Sequence, residues 1–392
     1  MNCVAAWLSG AGLYLLAMPV AHALEVTLSA QYRGESSAKW EHTTPPASAC
    51  PVFPTLCTNN PSVTLPITYT KFTQISTQPR ENFYMRGPAP KQVDIYHEQT
   101  GETYQAQLKF TRLAQQVASP RRRNNPAASR YRMGGNCQPQ NGTWLSQNEY
   151  LTRWHIDTMP FECWTRPESG VSNSQETVTT SELSLVYTFG LPPPYKLRPG
   201  IYRGSVTYTL GTGGDFDFGD DVTALNSNDV KVNIVLDVQH SFRVDFPLGF
   251  DHAVLEPPGG WTSWLDGGRV PPRIYSDKSM RLWSSGPFRV YKLCEYDVGD
   301  VCGIRNRRGE EVALKVGITL PYGIRYEGWR TVNNMPLPTG RAAALEVEST
   351  LLTANGPGQL HFEVAQADLR PMLDRGGEQY SGKVTVIFDA EI

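Results

Sequence analysis

Apolar and polar residues alternate in short segments along most of this chain. Clear examples lie at residues 24–28, 63–67, 205–210, 230–236 and 313–318. These segments are rich in Val, Ile, Thr and Tyr, and clusters of Gly, Pro, Asn and Asp separate them. A period of two puts alternate side chains on opposite faces of a β-strand. Many short strands with frequent turns are typical of sandwiches and barrels, so we predict an all-β fold.

The chain is long enough for more than one such domain. It has 392 residues, against about 150 for an average domain. Helical periodicity is almost absent, although residues 105–118 could form a helix and residues 363–373 could hold one turn. Long polar loops and a basic run fall within residues 24–245, whereas residues 246–392 alternate more tightly. We therefore predict two tandem β-sandwich domains, 24–245 and 246–392.

The first 23 residues differ from the rest. They contain no Asp, Glu, Lys or Arg, and an apolar run from Val4 to Val20 is followed by Ala21-His22-Ala23. That small-residue pattern is typical of signal-peptide cleavage. A membrane anchor is the alternative, but the run is short for a span and strand-like sequence follows it. We predict that residues 1–23 are a signal peptide and that the chain is exported.

The cysteine count fits export. Of seven cysteines, Cys3 leaves with the predicted signal peptide and six remain. An even number in an exported chain is typical of disulfides. Spacing favours three local pairs, although sequence alone permits others: Cys50 with Cys57, Cys137 with Cys163, and Cys294 with Cys302. Zinc ligation is the alternative, but the chain has no Cys-x-x-Cys pair.

Charge and motifs restrict the function classes. With 36 Lys and Arg against 38 Asp and Glu, the chain lacks the basic excess typical of nucleic-acid-binding proteins. It has no nucleophile elbow, zincin motif, Walker A loop or dinucleotide fingerprint. A glycosidase needs only two acids and stays an alternative, but we predict that the protein is not an enzyme. The acidic run 213–221 could bind calcium, yet phenylalanines interrupt it, so we predict no metal and no cofactor.

The last residues form the most specific pattern. Thr385 and Asp389 fall on one face of the predicted strand at residues 383–392. The apolar face is formed by Val384, Val386, Phe388, Ala390 and Ile392. A final strand whose side chains contribute to a core must be held within a sheet up to its end. If no further strand pairs with it, its unpaired backbone groups form an exposed edge that another segment must cover. An ordinary terminal strand in a complete sandwich is the simpler alternative.

Residues 380–392 (YSGKVTVIFDAEI) resemble the C-terminus of subunits assembled by the chaperone–usher pathway. The likeness is greatest to the alpha class, which includes the colonisation-factor-type fimbriae of enteric bacteria. Residues 285–291, 294–302 and 358–364 agree with it, so that it covers 246–392 well. Within 24–245 the likeness rests on residues 197–208. A two-domain subunit of this length is similar to fimbrial tip subunits, which pair an adhesive domain with a pilin domain.

The resemblance implies a mechanism of assembly. Residues 246–392 would form an incomplete immunoglobulin-like pilin domain that lacks its last strand, and the five apolar residues of 384–392 would line the resulting groove. A periplasmic chaperone would fill this groove first. At the outer-membrane usher, a donor strand from the next pilin subunit would replace the chaperone strand. Such a subunit passes through the periplasm to the cell surface.

The resemblance also implies a place in the fibre. Residues 24–28 could be a donor strand, but a first strand of the N-terminal domain is the simpler interpretation, and it favours the fimbrium tip over an internal position. There the subunit would initiate fibre assembly and bind a host cell-surface glycan or glycoprotein. The alternatives are a structural minor pilin without a receptor and an unrelated periplasmic or secreted β-sandwich binding protein.

Candidate receptor-binding residues lie in and near the basic loop, residues 119–135. Arginine forks suit carboxylate and sulfate groups, and exposed aromatic rings mark interaction surfaces. The candidates are Arg121, Arg122, Arg123, Arg130, Arg132, Trp144 and Trp154. A solvated loop is the alternative for the arginines, and core packing is the alternative for the tryptophans.

Overall fold

A computed structural model describes residues 24–34, 39–74, 76–128, 132–166 and 175–390. Most of the described chain is β-strand, as the sequence predicts. The predicted signal peptide, Arg130 and Ile392 lie outside the described residues. No helix in the described ranges has the length and apolar character that a membrane crossing requires.

The strands up to residue 238 form one large sheet and a small one. They are β1 (Leu24–Tyr32), β2 (Glu41–His42), β3 (Ser62–Leu65), β4 (Tyr69–Thr73), β5 (Phe83–Gly87), β6 (Lys91–His97), β7 (Thr103–Ala118), β8 (Arg132–Gly135), β9 (Cys137–Trp144), β10 (Glu149–Ile156), β11 (Phe161–Arg166), β12 (Glu176–Gly190), β13 (Gly200–Thr209), β14 (Val222–Thr223) and β15 (Asp229–Val238). The main path of the large sheet runs β14-β4-β12-β7-β6-β13-β15-β1-β2, with β10, β9 and β3 branching from it. The small sheet has the order β5-β11-β8. One hydrophobic core extends from Leu28 to Val238.

The strands after residue 241 form two further sheets. They are β16 (Phe242–Asp245), β17 (Arg273–Ser284), β18 (Phe288–Cys294), β19 (Tyr296–Val298), β20 (Val301–Arg305), β21 (Glu311–Thr319), β22 (Ile324–Tyr326), β23 (Arg330–Thr331), β24 (Met335–Pro336), β25 (Leu345–Ser349), β26 (Thr353–Ala365) and β27 (Val384–Asp389). One sheet runs β16-β17-β26-β21-β20-β19, and the other runs β23-β22-β25-β18-β27. A second core, from Ile274 to Leu369, lies between them.

Short helices occupy three connections between the described strands. They are α1 (Pro54–Cys57), α2 (Thr262–Leu265) and α3 (Gln366–Leu373). Short 3-10 turns lie at Pro79–Glu81, Pro194–Lys196 and Arg341–Ala343. The position of α3 agrees with the turn that the sequence suggests at 363–373.

The helix suggested at residues 105–118 is wrong, because this segment lies within the long strand β7. Ala106, Leu108 and Phe110 are buried in alternation, as a strand with one face on a core requires. Leu113 and Ala114 are then both buried, because Ala114 packs on the other face of the sheet in a small second cluster with Leu56. Burial on both faces removes the period of two locally and produces a helix-like pattern.

Three disulfides join Cys50 to Cys57, Cys137 to Cys163, and Cys294 to Cys302. These are the local pairs that the spacing favours. The first closes the short loop that contains α1, and the second connects β9 to β11.

Hydrogen bonds join the two halves of the chain near residues 240 and 285. The Tyr32 hydroxyl donates to the Ser285 carbonyl at 3.2 Å, and the Ser241 amide donates to Ser285 Oγ at 2.8 Å. Ser241 Oγ donates in turn to the Gly34 carbonyl at 2.8 Å. Since β16 begins at Phe242 and pairs with β17, it hydrogen-bonds to the C-terminal sheet just before the predicted junction near 246.

Candidate functional site

β27 is the edge strand of its sheet. It pairs antiparallel with β18, and no second strand pairs with it in the described part of the chain. Phe288 and Val290 of β18 are completely buried. Three side chains of β27 and that of the residue directly after it contact the same core but are only partly buried. They are Val384, Val386, Phe388 and Ala390. A free edge next to half-covered apolar side chains means that the core is open on this side.

β16 is the edge strand of the opposite sheet. Phe242 contacts the same core and is only partly buried. Its ring centroid lies 4.9 Å from that of Phe288 and 6.0 Å from that of Phe388. The edges of the two sheets therefore meet around one aromatic cluster. We call the gap bounded by β16 and β27 the open groove.

Apolar exposure continues beyond β16. Phe246 is exposed, and Leu248 is completely exposed. The ring of Phe246 lies 4.0 Å from that of Phe250, which contacts the C-terminal core. Soluble proteins rarely leave such side chains next to an unpaired strand edge unless something covers them.

The sequence identifies only one wall of the open groove. Four of its five predicted groove residues lie together on β27 or directly after it, and the fifth, Ile392, lies outside the described residues. Phe242 and Val244 of the other wall are not among the predicted residues, although both contact the core. Their alternation was detectable in the sequence, but nothing local shows that this strand borders the last one.

β1 occupies a place in the sheet of its own half of the chain. It pairs in parallel with β15 over its whole length, from Leu24 opposite Val230 to Tyr32 opposite Val238. Leu28, Ala30 and Tyr32 are buried. This segment is therefore not available as a strand for another sandwich.

The described part of the basic loop uses two of its arginines internally. Arg121 Nε lies 3.0 Å from Glu176 Oε2, whose carboxylate is almost completely buried. Burial raises the pKa of Glu176, and Arg121 acts in the opposite direction. The guanidinium of Arg123 lies 5.1 Å from the centroid of the Trp144 ring. Arg122 is exposed, and of the predicted loop arginines it remains the clearest candidate for outside contacts.

The choice of Trp154 as a receptor-binding residue is wrong. Its side chain is completely buried and packs near Phe83 at 6.0 Å between ring centroids, so it cannot stack on a ligand. Trp144 is partly buried, and its ring meets Tyr150 edge-on at 5.2 Å. Arg132 lies in β8, but its side chain is outside the description, as is the whole of Arg130.

The acidic run at 213–221 is neutralised by cations of the same chain. Asp215 Oδ2 accepts a hydrogen bond from Lys91 Nζ at 2.8 Å. The buried Asp217 carboxylate accepts two from Arg80, at 2.8 and 3.1 Å. Phe216 and Phe218 are buried between these acids. Burial on its own would raise the pKa of Asp217, but hydrogen bonds from Arg80 and two backbone amides lower it below its ordinary value.

Replacing Asp217 by Asn should lower the free energy of unfolding by about 2 kcal/mol, because a buried, charge-assisted pair loses one partner. Asp220→Asn is the matched control, since this exposed partner of Arg80 should contribute about 0.5 kcal/mol. The lowered pKa means that Asp217 stabilises the fold above its unfolded pKa of about 4, and this contribution is lost as pH falls through the folded pKa. Denaturant titrations should therefore show the variant and the parent converging in acid.

Comparison with known proteins gives matches to solved structures. No family model matches the chain, and no curated protein matches it. One match is to a chaperone–tip adhesin complex of CFA/I fimbriae. The aligned region covers 94% of this chain and 96% of the matched chain, at 10% sequence identity and a TM-score of 0.27. A second match is to the CFA/I adhesin CfaE of enterotoxigenic E. coli. The aligned region covers 94% of this chain and 92% of the matched chain, at 10% sequence identity and a TM-score of 0.29.

A third match is the CsuC–CsuE chaperone–tip complex from the archaic chaperone–usher Csu pili of Acinetobacter baumannii. The aligned region covers 94% of this chain and 98% of the matched chain, at 10% sequence identity and a TM-score of 0.22. All three belong to the broad class of protein that residues 380–392 resemble. TM-scores this low leave the arrangement of this chain to be judged from its own geometry.

Proposed function

We propose that this chain is a tip subunit of a chaperone–usher fimbrium, in which residues 24–241 form an adhesin domain and residues 242–392, from β16 onward, form a pilin domain. The observation that carries the proposal is the open groove. Two edge strands from different sheets meet there, and the apolar side chains between them are half covered. One further strand would complete the sandwich.

The groove suits an extended strand better than a helix or a small molecule. The free edge of β27 offers unpaired backbone groups, and its apolar side chains alternate along the same line. An added strand gains main-chain hydrogen bonds from the edge and places alternate side chains against the core. A periplasmic chaperone supplies such a strand first, and the next pilin subunit replaces it at the usher.

The position of β1 supports placement at the tip. This segment is held within the N-terminal sheet by its pairing with β15. A subunit that accepts a donor strand through the open groove and keeps its own first strand ends the fibre. The N-terminal half then faces outward, where it binds a receptor on the host cell surface.

Co-expression with the chaperone of its own gene cluster tests this proposal. The full chain should co-purify with the chaperone as a one-to-one complex, whereas the chain alone should aggregate or be degraded in the periplasm, because its half-covered core remains open. The measurement is the soluble yield with and without the chaperone, followed by the mass of the complex. Equal yields of soluble monomer in both cases would contradict the missing strand.

A further inference from the structure

A polar depression of about 440 Å³ opens on the large sheet of the N-terminal half. Its walls are formed by Thr55, Leu56, Arg112, Gln140, Asn141 and Arg153. Arg153 precedes the core residue Trp154 on β10, so it projects from the opposite face of the sheet. The volume falls within the range of about 300–1,000 Å³ that is usual for small-molecule sites.

Strand register and a disulfide-held helix bring these residues together. Arg153 lies opposite Gln140 in the β10–β9 pair, and Arg112 lies opposite His155 in the β10–β7 pair. Partners directly opposite each other share a face, so both arginines lie on the same side of the sheet. Thr55 and Leu56 belong to α1, whose Leu56 packs with Ala114 on this side of the sheet, and the disulfide between Cys50 and Cys57 closes the loop that contains α1.

The two arginines retain unused hydrogen-bonding capacity. Neither has an acidic partner in an ion pair within the described residues, whereas Arg80 and Arg121 both do. Arg153 donates to Thr55 Oγ1 at 3.3 Å, but its Nε is buried without a hydrogen-bond partner. Among the described residues, Arg112 Nη1 donates to the carbonyl oxygens of Thr55 and Leu56, at 3.5 Å each.

Contacts with the protein hold the Arg153 fork in place. Its guanidinium lies over the Phe53 ring, 4.5 Å from the centroid, next to the hydroxyl of Thr55. Because the Nε atom is buried, a ligand in the depression would accept hydrogen bonds from the terminal nitrogens of the guanidinium. Two nearby guanidinium groups can share one planar oxyanion through paired N–H···O bonds.

We propose that this pocket binds the carboxylate of an acidic sugar, an inference that rests on the adhesin function proposed above. Arg112 and Arg153 hold the carboxylate. The side-chain amides of Gln140 and Asn141 can donate to and accept from sugar hydroxyl groups. Leu56 is the one apolar side chain in the wall, so the lining suits a polar, anionic ligand. The receptor site then lies on the opposite sheet face from Trp154.

Glycan binding by the full chain in its chaperone complex tests the site. The probes are glycans ending in N-acetylneuraminic acid, glycans ending in glucuronic acid, sulfated glycans and neutral glycans. Carboxylated glycans should bind, and Arg112→Gln or Arg153→Gln should each weaken this binding by about tenfold or more, the usual effect of losing a hydrogen bond between charged groups. Arg203→Gln is the matched control, because Arg203 is an exposed arginine of β13 outside the pocket wall, and it should bind like the parent. Arg122→Gln tests the basic loop as the alternative site.

Other outcomes would overturn the proposal. Binding of sulfated or neutral glycans alone would contradict the carboxylate assignment. Loss of binding in Arg122→Gln, with Arg112→Gln and Arg153→Gln unchanged, would move the site to the basic loop. Thermal melts of each variant show whether the fold survives, and Arg153→Lys keeps the charge while removing the fork. A chaperone complex that forms normally but binds no acidic glycan would reject the pocket and leave the assembly role intact.

Discussion

A strand fused after Ile392 should raise the melting temperature of the C-terminal half by about 10 °C relative to the parent chain refolded in vitro. The insert would be a short turn followed by alternating Val and Thr residues, so that the new strand folds back antiparallel to β27. Four half-covered side chains would become buried, at about 1 kcal/mol each when half of a full side-chain burial is counted. A gain of about 4 kcal/mol corresponds to about 8–16 °C for a domain of this size.

The matched control for this fusion keeps its composition and changes its order. An insert of the same Val and Thr residues, grouped so that the alternation is lost, cannot pair with β27 and place every Val against the core at once. It should therefore leave the melting temperature close to that of the parent. Equal stabilisation by both inserts would show that the effect is not strand addition, and the open groove would lose its main support.

Val386→Asp should abolish both the stabilisation by the fused strand and capture by the chaperone. Val386 faces the core from β27 and would be fully covered by an added strand. A carboxylate there would be buried without a partner, a change that costs several kcal/mol and cancels the gain from the strand. The measurements are the melting temperature with and without the fused strand, and the yield of chaperone complex.

Thr385→Asp is the control for this variant. Thr385 is the neighbouring residue on the same strand, but its side chain is exposed on the opposite face. The Thr385→Asp substitution introduces the same charge one position away. A strand added in the groove would not cover the new carboxylate, because it lies on the opposite face. Parent-like complex formation is expected. If both variants lose the chaperone, the effect is one of charge on β27, and the assignment of faces is wrong.

Local periodicity predicts strands well where only one face of a sheet is buried. Residues 230–236 alternate clearly and lie within β15, whose burial alternates from end to end. Around Leu113 and Ala114 the segment near α1 covers the second face of β7, and the alternation disappears. The wrong helix at 105–118 has this cause, which depends on a contact with residues more than 50 positions away.

Sites formed by distant residues are harder to predict than strands. Arg112 and Arg153 carry no local signal, and only the pairing of β7 with β10 brings them to one face. Arg121 and Arg123 are conspicuous in the sequence, yet Glu176 and Trp144 already contact them. Likewise, sequence alone does not show that the face of β10 carrying Trp154 is the core face. The wall of the groove on β27 was predictable because a single strand carries it.

Amide hydrogen exchange along β27 tests the central claim most directly. In the full chain refolded in vitro without its chaperone, the amides of β27 that do not bond to β18 should exchange fast, and the fused alternating strand should slow them on the order of 100-fold. The amides of β18, which is already paired on both sides, are the internal reference. Exchange along β27 that is as slow as in β18 before the strand is added, or that stays unchanged after it, would contradict an open groove.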